Sequence, residues 1–287
     1  MIIVTGANGK LGRGVVEQLL ARVPAEQVGV SVRDPEKAQG LKERGVRVRL
    51  GDFDDPASLA HAFEGASQVL IVSSNSSGKA AVRHHRTAID IAKKAGAHRI
   101  LYTSHMGSSP TSLFPPMVDH AATEVVLRDS GVAFKSLRNG FYAASALFML
   151  GNALKTGELA APEDGPVAWT THSDLAEVTG IILSEEILDG VTPNLTASEA
   201  IDLDGIAALA SELAHRPIRR IVVPDAEYRA GLVAQGFPEE SADMLLGMFR
   251  ASRQGEFARI DPTLARLIKR PPTPLRDVLK AAISSAE

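Results

Sequence analysis

The chain has 287 residues, 45% hydrophobic and 23% charged, a balance typical of globular proteins long enough to bury a core unaided. It contains no cysteine, which excludes disulfides and thiolate metal sites. A formal net charge of −3 with dispersed basic residues gives no electrostatic support to nucleic-acid binding.

The opening Met1–Gly6 lacks a basic leader and an apolar core of signal length, and no apolar run reaches the length of a membrane span. A cytoplasmic location is therefore expected. Met1–Thr5 reads as a short buried strand. Lys10–Arg22 follows with Leu11, Val15, Leu19 and Leu20 at helical spacing. Val28–Val32 is a second strand, and Asp34-Pro35 starts a helix with Asp34 as cap. Arg44-Gly45 ends that helix, and Val46–Leu50 is a third strand. Asp55-Pro56 starts the next helix, capped by Asp54 or Asp55. Gln68–Val72 is a fourth strand, Ala80–Ala95 a helix, and Arg99–Thr103 a fifth strand. Another helix is expected over Val118–Ser130, and an apolar run over Val132–Leu137.

Strands alternating with helices predict a Rossmann-type doubly wound α/β fold with a parallel sheet. Ligands then bind at the carboxyl ends of the strands. After Arg138 the rhythm changes. Helices are suggested at Phe141–Leu154, Ser173–Glu186, Leu203–Ala214, Ala226–Ala234 and Glu239–Ala251, with an extended piece at Arg219–Val223. We therefore expect a nucleotide domain over residues 1–140. A smaller α/β lobe, residues 141–287, would interleave with it and hold the substrate.

The segment Thr5-Gly6-Ala7-Asn8-Gly9-Lys10-Leu11-Gly12 has the pattern G-x-x-G-x-x-G between a predicted strand and a predicted helix. That context makes it a dinucleotide site rather than a plain glycine turn. Glycines permit the tight turn and close backbone approach, and Gly12 lets the helix sit close to the sheet. The helix N-terminus offers free N–H groups to a pyrophosphate. The second strand ends Ser31-Val32-Arg33, without the acidic residue that binds a ribose 2′-hydroxyl. A guanidinium suits a 2′-phosphate, so NADP(H) is the expected cofactor. The alternative is that Arg33 is a solvated surface charge. Asp52, after the third strand, would face adenine or serve as a cap. Ser73 to Gly78, after the fourth strand, lies where a ligand loop belongs.

These residues resemble the atypical short-chain dehydrogenases of the NmrA-like family, in particular its quinone reductases and triphenylmethane reductases. The resemblance spans nearly the whole chain. It is carried by Val4–Gly12, Val32–Ala38, Tyr102-Thr103-Ser104, His120–Glu124, Leu137-Arg138-Asn139-Gly140-Phe141-Tyr142 and Pro272–Leu275. It implies that Gly6, Ala7, Asn8, Gly9, Lys10 and Leu11 bind the pyrophosphate and that Arg33 binds the 2′-phosphate. Ser73, Ser74 and Asn75 would line the ribose–nicotinamide side. The segment from Leu137 and Arg138 through Asn139, Gly140 and Phe141 to Tyr142 would close over the nicotinamide. The match at His172-Ser173-Asp174 is looser, because the usual arginine is missing.

Short-chain dehydrogenases generally protonate their substrate from a Tyr-x-x-x-Lys pair. Here Pro116 stands at the tyrosine position and His120 at the lysine position. Hydride delivery to a ketone leaves an alkoxide, with a pKa of about 16. Delivery to a quinone leaves a phenolate-like anion, near about 10. The gap of about 6 units corresponds to roughly 8 kcal/mol of charge stabilisation that a quinone does not require. A cationic dye needs no proton at the hydride step. The expected reaction is thus direct hydride transfer from NADPH to a quinone-type acceptor. The alternatives are a dye reductase and a non-enzymatic NADP(H) sensor. A nucleotide-sugar epimerase would need the missing pair.

His120, Asn139 and Tyr142 are the candidate catalytic groups. His120 and Glu124 share a helix face, and His120 is either a weak general acid or half of an ordinary helix-face pair. Tyr142 either bonds substrate or is a structural tyrosine. Asn139 stands at a strand end, where ligands bind. The adjacent His84 and His85 point apart, no metal-ligand spacing is visible, and Met244, Leu245, Met248 and Phe249 read as core packing, with the lining of an apolar acceptor pocket as the alternative. The expected partner is a small quinone or dye, and a homodimer is possible.

Overall fold

The computed structural model describes residues 1–185, 187 and 190–284. Its strands are β1 (Ile2–Thr5), β2 (Val28–Val32), β3 (Arg47–Leu50), β4 (Gln68–Ile71), β5 (Arg99–His105), β6 (Ala133–Asn139), β7 (Phe141–Tyr142), β8 (Glu158–Ala161), β9 (Trp169–Thr170), β10 (Gly190–Val191) and β11 (Arg219–Val222). The helices are α1 (Lys10–Leu20), α2 (Gln39–Lys42), α3 (Pro56–Phe63), α4 (Gly78–Lys94), α5 (Pro115–Asp129), α6 (Ala143–Leu150), α7 (Ala153–Thr156), α8 (His172–Glu185), α9 (Leu203–Leu213), α10 (Asp225–Ala234), α11 (Glu239–Arg253), α12 (Thr263–Ile268) and α13 (Leu275–Ser284). Glu186, the expected end of α8, lies outside the described residues.

The central sheet has the order β10-β6-β5-β4-β1-β2-β3 and is parallel at every pairing. Parallel strands buried on both faces read as continuous apolar runs, which is how β1, β2 and β4 could be read directly. Period-2 alternation sends Ile2, Val4, Leu70, Leu101 and Leu137 to the core beneath α1, α8 and α12. It sends Ile3, Val69, Ile71, Ile100 and Tyr102 to the opposite core, beneath α3, α4 and α5. The chain winds outward from β1 to β3, then returns to lay β4 on the other side of β1. That reversal opens a crevice at the carboxyl ends of β1 and β4.

A third core joins α6, α9, α11 and α13 to Met106, Met117, Phe141, Trp169 and Phe257. Met248 and Phe249 belong to it. The second half also returns to the central sheet, through β10 and through α8, which lies along α1. The expected helix Phe141–Leu154 is broken into β7, α6 and α7. Phe141 and Tyr142 pair with Trp169 and Thr170, so tertiary strand pairing overrides the local apolar helical pattern.

Gly6 takes a left-handed φ of 63° and turns the chain from β1 into the loop before α1. A Cβ on Gly12 would lie 2.5 Å from the Gly6 carbonyl oxygen and 2.8 Å from its carbon. That contact is with backbone and has nowhere to go. Gly12→Ala should therefore destabilise the fold by about 1–3 kcal/mol through overpacking. Gly40→Ala, with nothing within 4 Å, should be neutral or stabilising by a few tenths of a kcal/mol. Urea unfolding midpoints of the two variants, compared at equal slope, check this contrast.

Candidate functional site

A cavity of about 610 Å³ lies over the carboxyl ends of β1 to β4. Gly6, Asn8 and Gly9 form one wall, Arg33, Asp34 and Lys37 a second, Asp52 to Asp54 a third, and Ser73 to Ser76 with His84 a fourth. Helix α1 begins on this cavity with Gly9 at its cap and no side chain covering it. Its first-turn amides are thus free to meet an anion. The Asn8 amide donates to the Asp34 carbonyl (2.8 Å), tying the glycine loop to the exit of β2.

Asp34 does not cap a helix. Its side chain makes no capping bond and instead pairs with Lys37 at 3.1 Å, because Pro35 to Ala38 form a tight 3₁₀ turn that brings residues three apart together. Lys37 consequently stands beside Arg33 on the cavity wall. Asp55 does cap its helix, accepting from the amides of Ala57 (3.0 Å) and Ser58 (3.2 Å). Asp52 accepts from the Asp54 amide (3.1 Å) and faces the cavity. His84 bridges two loops, with Nε2 to Asp54 at 2.8 Å and Nδ1 to Ser76 at 3.1 Å.

The exit of β4 is held in an unusual way. The amide of Val72 donates to Thr5 Oγ1 (2.9 Å), that of Ser73 to Thr103 Oγ1 (2.9 Å), and that of Ser74 to His85 Nε2 (2.9 Å). Three successive amides are satisfied by side chains from β1, β5 and α4. The Ser73–Ser76 loop therefore stands fixed between the cavity and the ends of β5 and β6.

At those ends an aromatic group gathers. His105 makes edge contacts with Phe141 (5.1 Å) and Phe257 (5.6 Å) and stacks on His120 (6.2 Å). Tyr142 lies against His172, ring centroids 4.2 Å apart. Asn139 is fully buried, yet neither amide atom has a well-formed hydrogen bond. Burial pushes His120 down to about 4, with Glu124 acting weakly against it. Burial also holds His105 well below the usual imidazole range and raises Tyr142, against a lowering effect of the Asn139 amide. Glu124 is pushed up by burial, but hydrogen bonds from Arg138, Ser104 and Ser136 outweigh that and leave it lowered.

Residues 6–148 match the family described as NAD(P)H-binding. Quinone oxidoreductase 2 of Escherichia coli (strain K12) is 35% identical over 280 residues, 96% of each chain. The crystal structure of that enzyme with NADPH aligns with a TM-score of 0.93 over 98% of this chain and 99% of the other, at 34% identity. The triphenylmethane reductase of Citrobacter sp., complexed with NADP(H), aligns with a TM-score of 0.90 over 98% and 100%, at 32% identity. An NmrA-like family domain-containing oxidoreductase of Aspergillus flavus is 28% identical over 286 residues, 97% of this chain and 93% of the other. The chain is an NAD(P)H-binding oxidoreductase of the NmrA-like family.

The cavity of this NmrA-like oxidoreductase brings together Gly6, Asn8, Gly9, Arg33, Asp52, Ser73, Ser74 and Asn75. Ala7, Leu11 and Gly12 are buried behind it and Lys10 is exposed, so their part is backbone. His120, Asn139, Gly140, Phe141 and Tyr142 belong to the neighbouring end of β5 and β6, outside the cavity wall. Leu137 and Arg138 do not reach either place. Leu137 is fully buried in the core, and the Arg138 guanidinium is committed to Glu124 at 2.7 Å. Strand alternation is the reason, since residues 136 and 138 face α5. His120 and Glu124 share a helix face but have different partners, Tyr102 for one and Arg138 for the other.

Sequence reasoning missed Lys37, the Asp54–His84–Ser76 bridge, His105 and the β4 amide acceptors. Lys37 was readable as the residue three beyond Asp34; the others depend on contacts between distant segments. Two features fit a dinucleotide here. The glycine loop leaves no room for a Cβ at Gly12, and the buried hydroxyls of Ser31 and Ser74 on the cavity wall have no hydrogen-bond partner among the described residues. Among those residues no helix is long and apolar enough to cross a membrane, and no group of three ligating side chains could hold a metal.

The buried imidazoles give a test by pH. His85 is pushed down to about 3 by burial and by His120 and His84, and His120 lies at about 4. Both are lower than in the unfolded chain, so the unfolded state binds more protons below about pH 6.5. Their contribution is complete above about pH 6.5 and is lost as pH falls toward their folded values. Each should lose roughly 1.4 kcal/mol per pH unit in that window. Urea unfolding at pH 7.5, 5.5 and 4.5 (roughly spanning the window) should show falling stability well above the carboxylate range. A level curve down to about pH 5 would mean the imidazoles are not held neutral.

Proposed function

We propose that this protein reduces quinone-type acceptors with NADPH, the acceptor lying at the carboxyl ends of β5 and β6 against His120, Asn139 and Tyr142. The loop Gly6–Gly9 and the first-turn amides Lys10, Leu11 and Gly12 would hold the pyrophosphate. Arg33 and Lys37 would hold the 2′-phosphate. Asp52 would face adenine, and Ser73, Ser74, Asn75 and the Asn139–Tyr142 segment the ribose–nicotinamide end. When bound, NADPH supplies the hydride. The similarity to quinone oxidoreductase 2 over nearly the whole chain supports this reading, and residues 141–287 are proposed as the lobe that closes the acceptor end.

One observation carries the choice of acceptor. The end of β5 and β6 holds no strong acid and no cationic lysine. His120 is held neutral by burial, Tyr142 is pushed up, and Glu124 is tied to Arg138 and two serines. Such a site cannot provide a ready proton to an alkoxide of pKa about 16, but a hydroquinone anion near about 10 does not demand one. Phe114, only partly buried, offers a face to a flat, apolar ring, with Phe141 and Phe257 packed behind it in the core.

Loss of nicotinamide absorbance tests the reading directly. Purified protein mixed with NADPH and benzoquinone or menadione should consume NADPH in an enzyme-dependent way. Tight NADPH binding with no turnover of quinones would sink it in favour of a sensor, and turnover of cationic dyes alone would move it to a dye reductase. Cofactor choice is tested by Arg33→Ala. Removal of charge-assisted bonds to the 2′-phosphate should weaken NADPH about 10- to 100-fold and change NADH binding by less than about threefold. Equal weakening of both cofactors would remove the 2′-phosphate role.

A further inference from the structure

A buried chain of side chains runs from the β4 loop to His120. The Ser74 amide donates to His85 Nε2 (2.9 Å). His85 Nδ1 lies 2.9 Å from Thr123 Oγ1 and 3.4 Å from the Tyr102 hydroxyl. That hydroxyl lies 2.7 Å from His120 Nδ1. Tyr102 and Thr123 are fully buried and His85 is 2% exposed.

The first member fixes the proton of His85, and the contacts beyond it order the rest. A backbone N–H can only donate, so His85 Nε2 must accept. A neutral imidazole carries one proton, which therefore sits on His85 Nδ1. That N–H points at Thr123 Oγ1 and Tyr102. The Thr123 hydroxyl gives its own proton to the Asp119 carbonyl (2.9 Å). With His85 presenting a donor, the Tyr102 hydroxyl cannot donate to it; Thr123 Oγ1 already accepts from His85 (2.9 Å), and the shorter contact, to His120 Nδ1 at 2.7 Å, takes the hydroxyl proton. His120 Nδ1 then accepts, and its single proton is on Nε2.

We infer that His85 and Tyr102 are positioning residues that lock His120 as the neutral Nε2–H tautomer, a fixed hydrogen-bond donor toward the oxygen of the bound acceptor. The inference rests on the proposed place of the acceptor at His120. Nε2 has no hydrogen-bond partner among the described residues, and His120 is only half-buried. The chain does not supply the proton itself. Burial pushes the Tyr102 phenol far above its ordinary range, and a phenol that weak would not surrender its proton to a hydroquinone anion of pKa about 10. What it provides is orientation: a donor aimed where negative charge develops, with no reorganisation at the moment of hydride transfer. His85 and His120 are both held neutral by burial at neutral pH, so the proton order persists.

Nitrogen NMR of the ¹⁵N-labelled protein reads the tautomer without turnover. In the wild type, His120 should show a protonated Nε2 and an unprotonated Nδ1. Tyr102→Phe should give a mixture of both forms and lower kcat on menadione about 3- to 30-fold, with KM for NADPH unchanged. His85→Gln offers an amide oxygen to Ser74 and an amide donor to Tyr102, so it should keep the wild-type tautomer, whereas His85→Leu should lose it. A proton on Nδ1 in the wild type overturns the inference, as does a Tyr102→Phe protein with unaltered tautomer and kcat. If the tautomer is as stated but His120→Ala leaves kcat on menadione unchanged, the acceptor is not at His120, and it is the functional reading that fails.

Discussion

Beyond Ile71 the fourth strand leaves its neighbours, and its next three amides lose the carbonyls that a ladder would provide. Buried amides must be paired, and here no backbone is available, because the sheet reverses direction at this point. Thr5, Thr103 and His85 take the three donors. The solution fixes much else. It sets the wall of the cavity at Ser73–Ser76 and anchors α4 to the sheet through His85. It also commits the amides of Val72, Ser73 and Ser74, so that these three are not free to meet a ligand.

The same constraint shapes the electrostatics. His85 is buried because it must reach Ser74, and burial keeps it neutral. Tyr102, His120 and His105 share that low-dielectric interior. Burial outweighs the nearby Glu124 carboxylate, and His85, His105 and His120 are all held below the ordinary imidazole range. The absence of a lysine at position 120 is then of one piece with its surroundings: an ammonium there would face the same desolvation cost with only Glu124 nearby, and Glu124 is already engaged by Arg138.

Much of this was legible in the sequence where it depended on local pattern. The apolar runs of β1, β2 and β4, the glycine loop, Asp55 before Pro56, and the absence of a Tyr-x-x-x-Lys pair are all written in consecutive residues. The NAD(P)H-binding family was legible for the same reason. Contacts between segments were not. Nothing near His85 announces that its ring accepts from Ser74 and approaches Tyr102, because these residues come from the loop after β4, from α4 and from β5 and meet only when the sheet forms. Phe141 and Tyr142 illustrate the opposite failure. Their apolar surroundings read as helix, and only pairing with Trp169 and Thr170 makes them strand.

The segment Leu137–Tyr142 shows how one short motif divides its work. Alternation along β6 sends Ser136 and Arg138 to the α5 face, where both bond Glu124. The carboxylate also takes Ser104 (2.8 Å) from β5, so one buried group joins two strands and a helix. Leu137 and Asn139 face the other way, Leu137 into the core and Asn139 to the strand end. Gly140 follows because a Cβ there would collide with the Thr170 hydroxyl and lie 3.1 Å from the Leu195 carbonyl oxygen. Its amide donates to that same carbonyl (2.8 Å). The chain is thereby pinned on both sides of Asn139, whose buried amide has no well-formed hydrogen bond among the described residues and acts only on the Tyr142 hydroxyl beside it. An amide buried with so little pairing costs free energy, and the backbone bonds at Arg138, Asn139 and Gly140 hold the segment in place all the same.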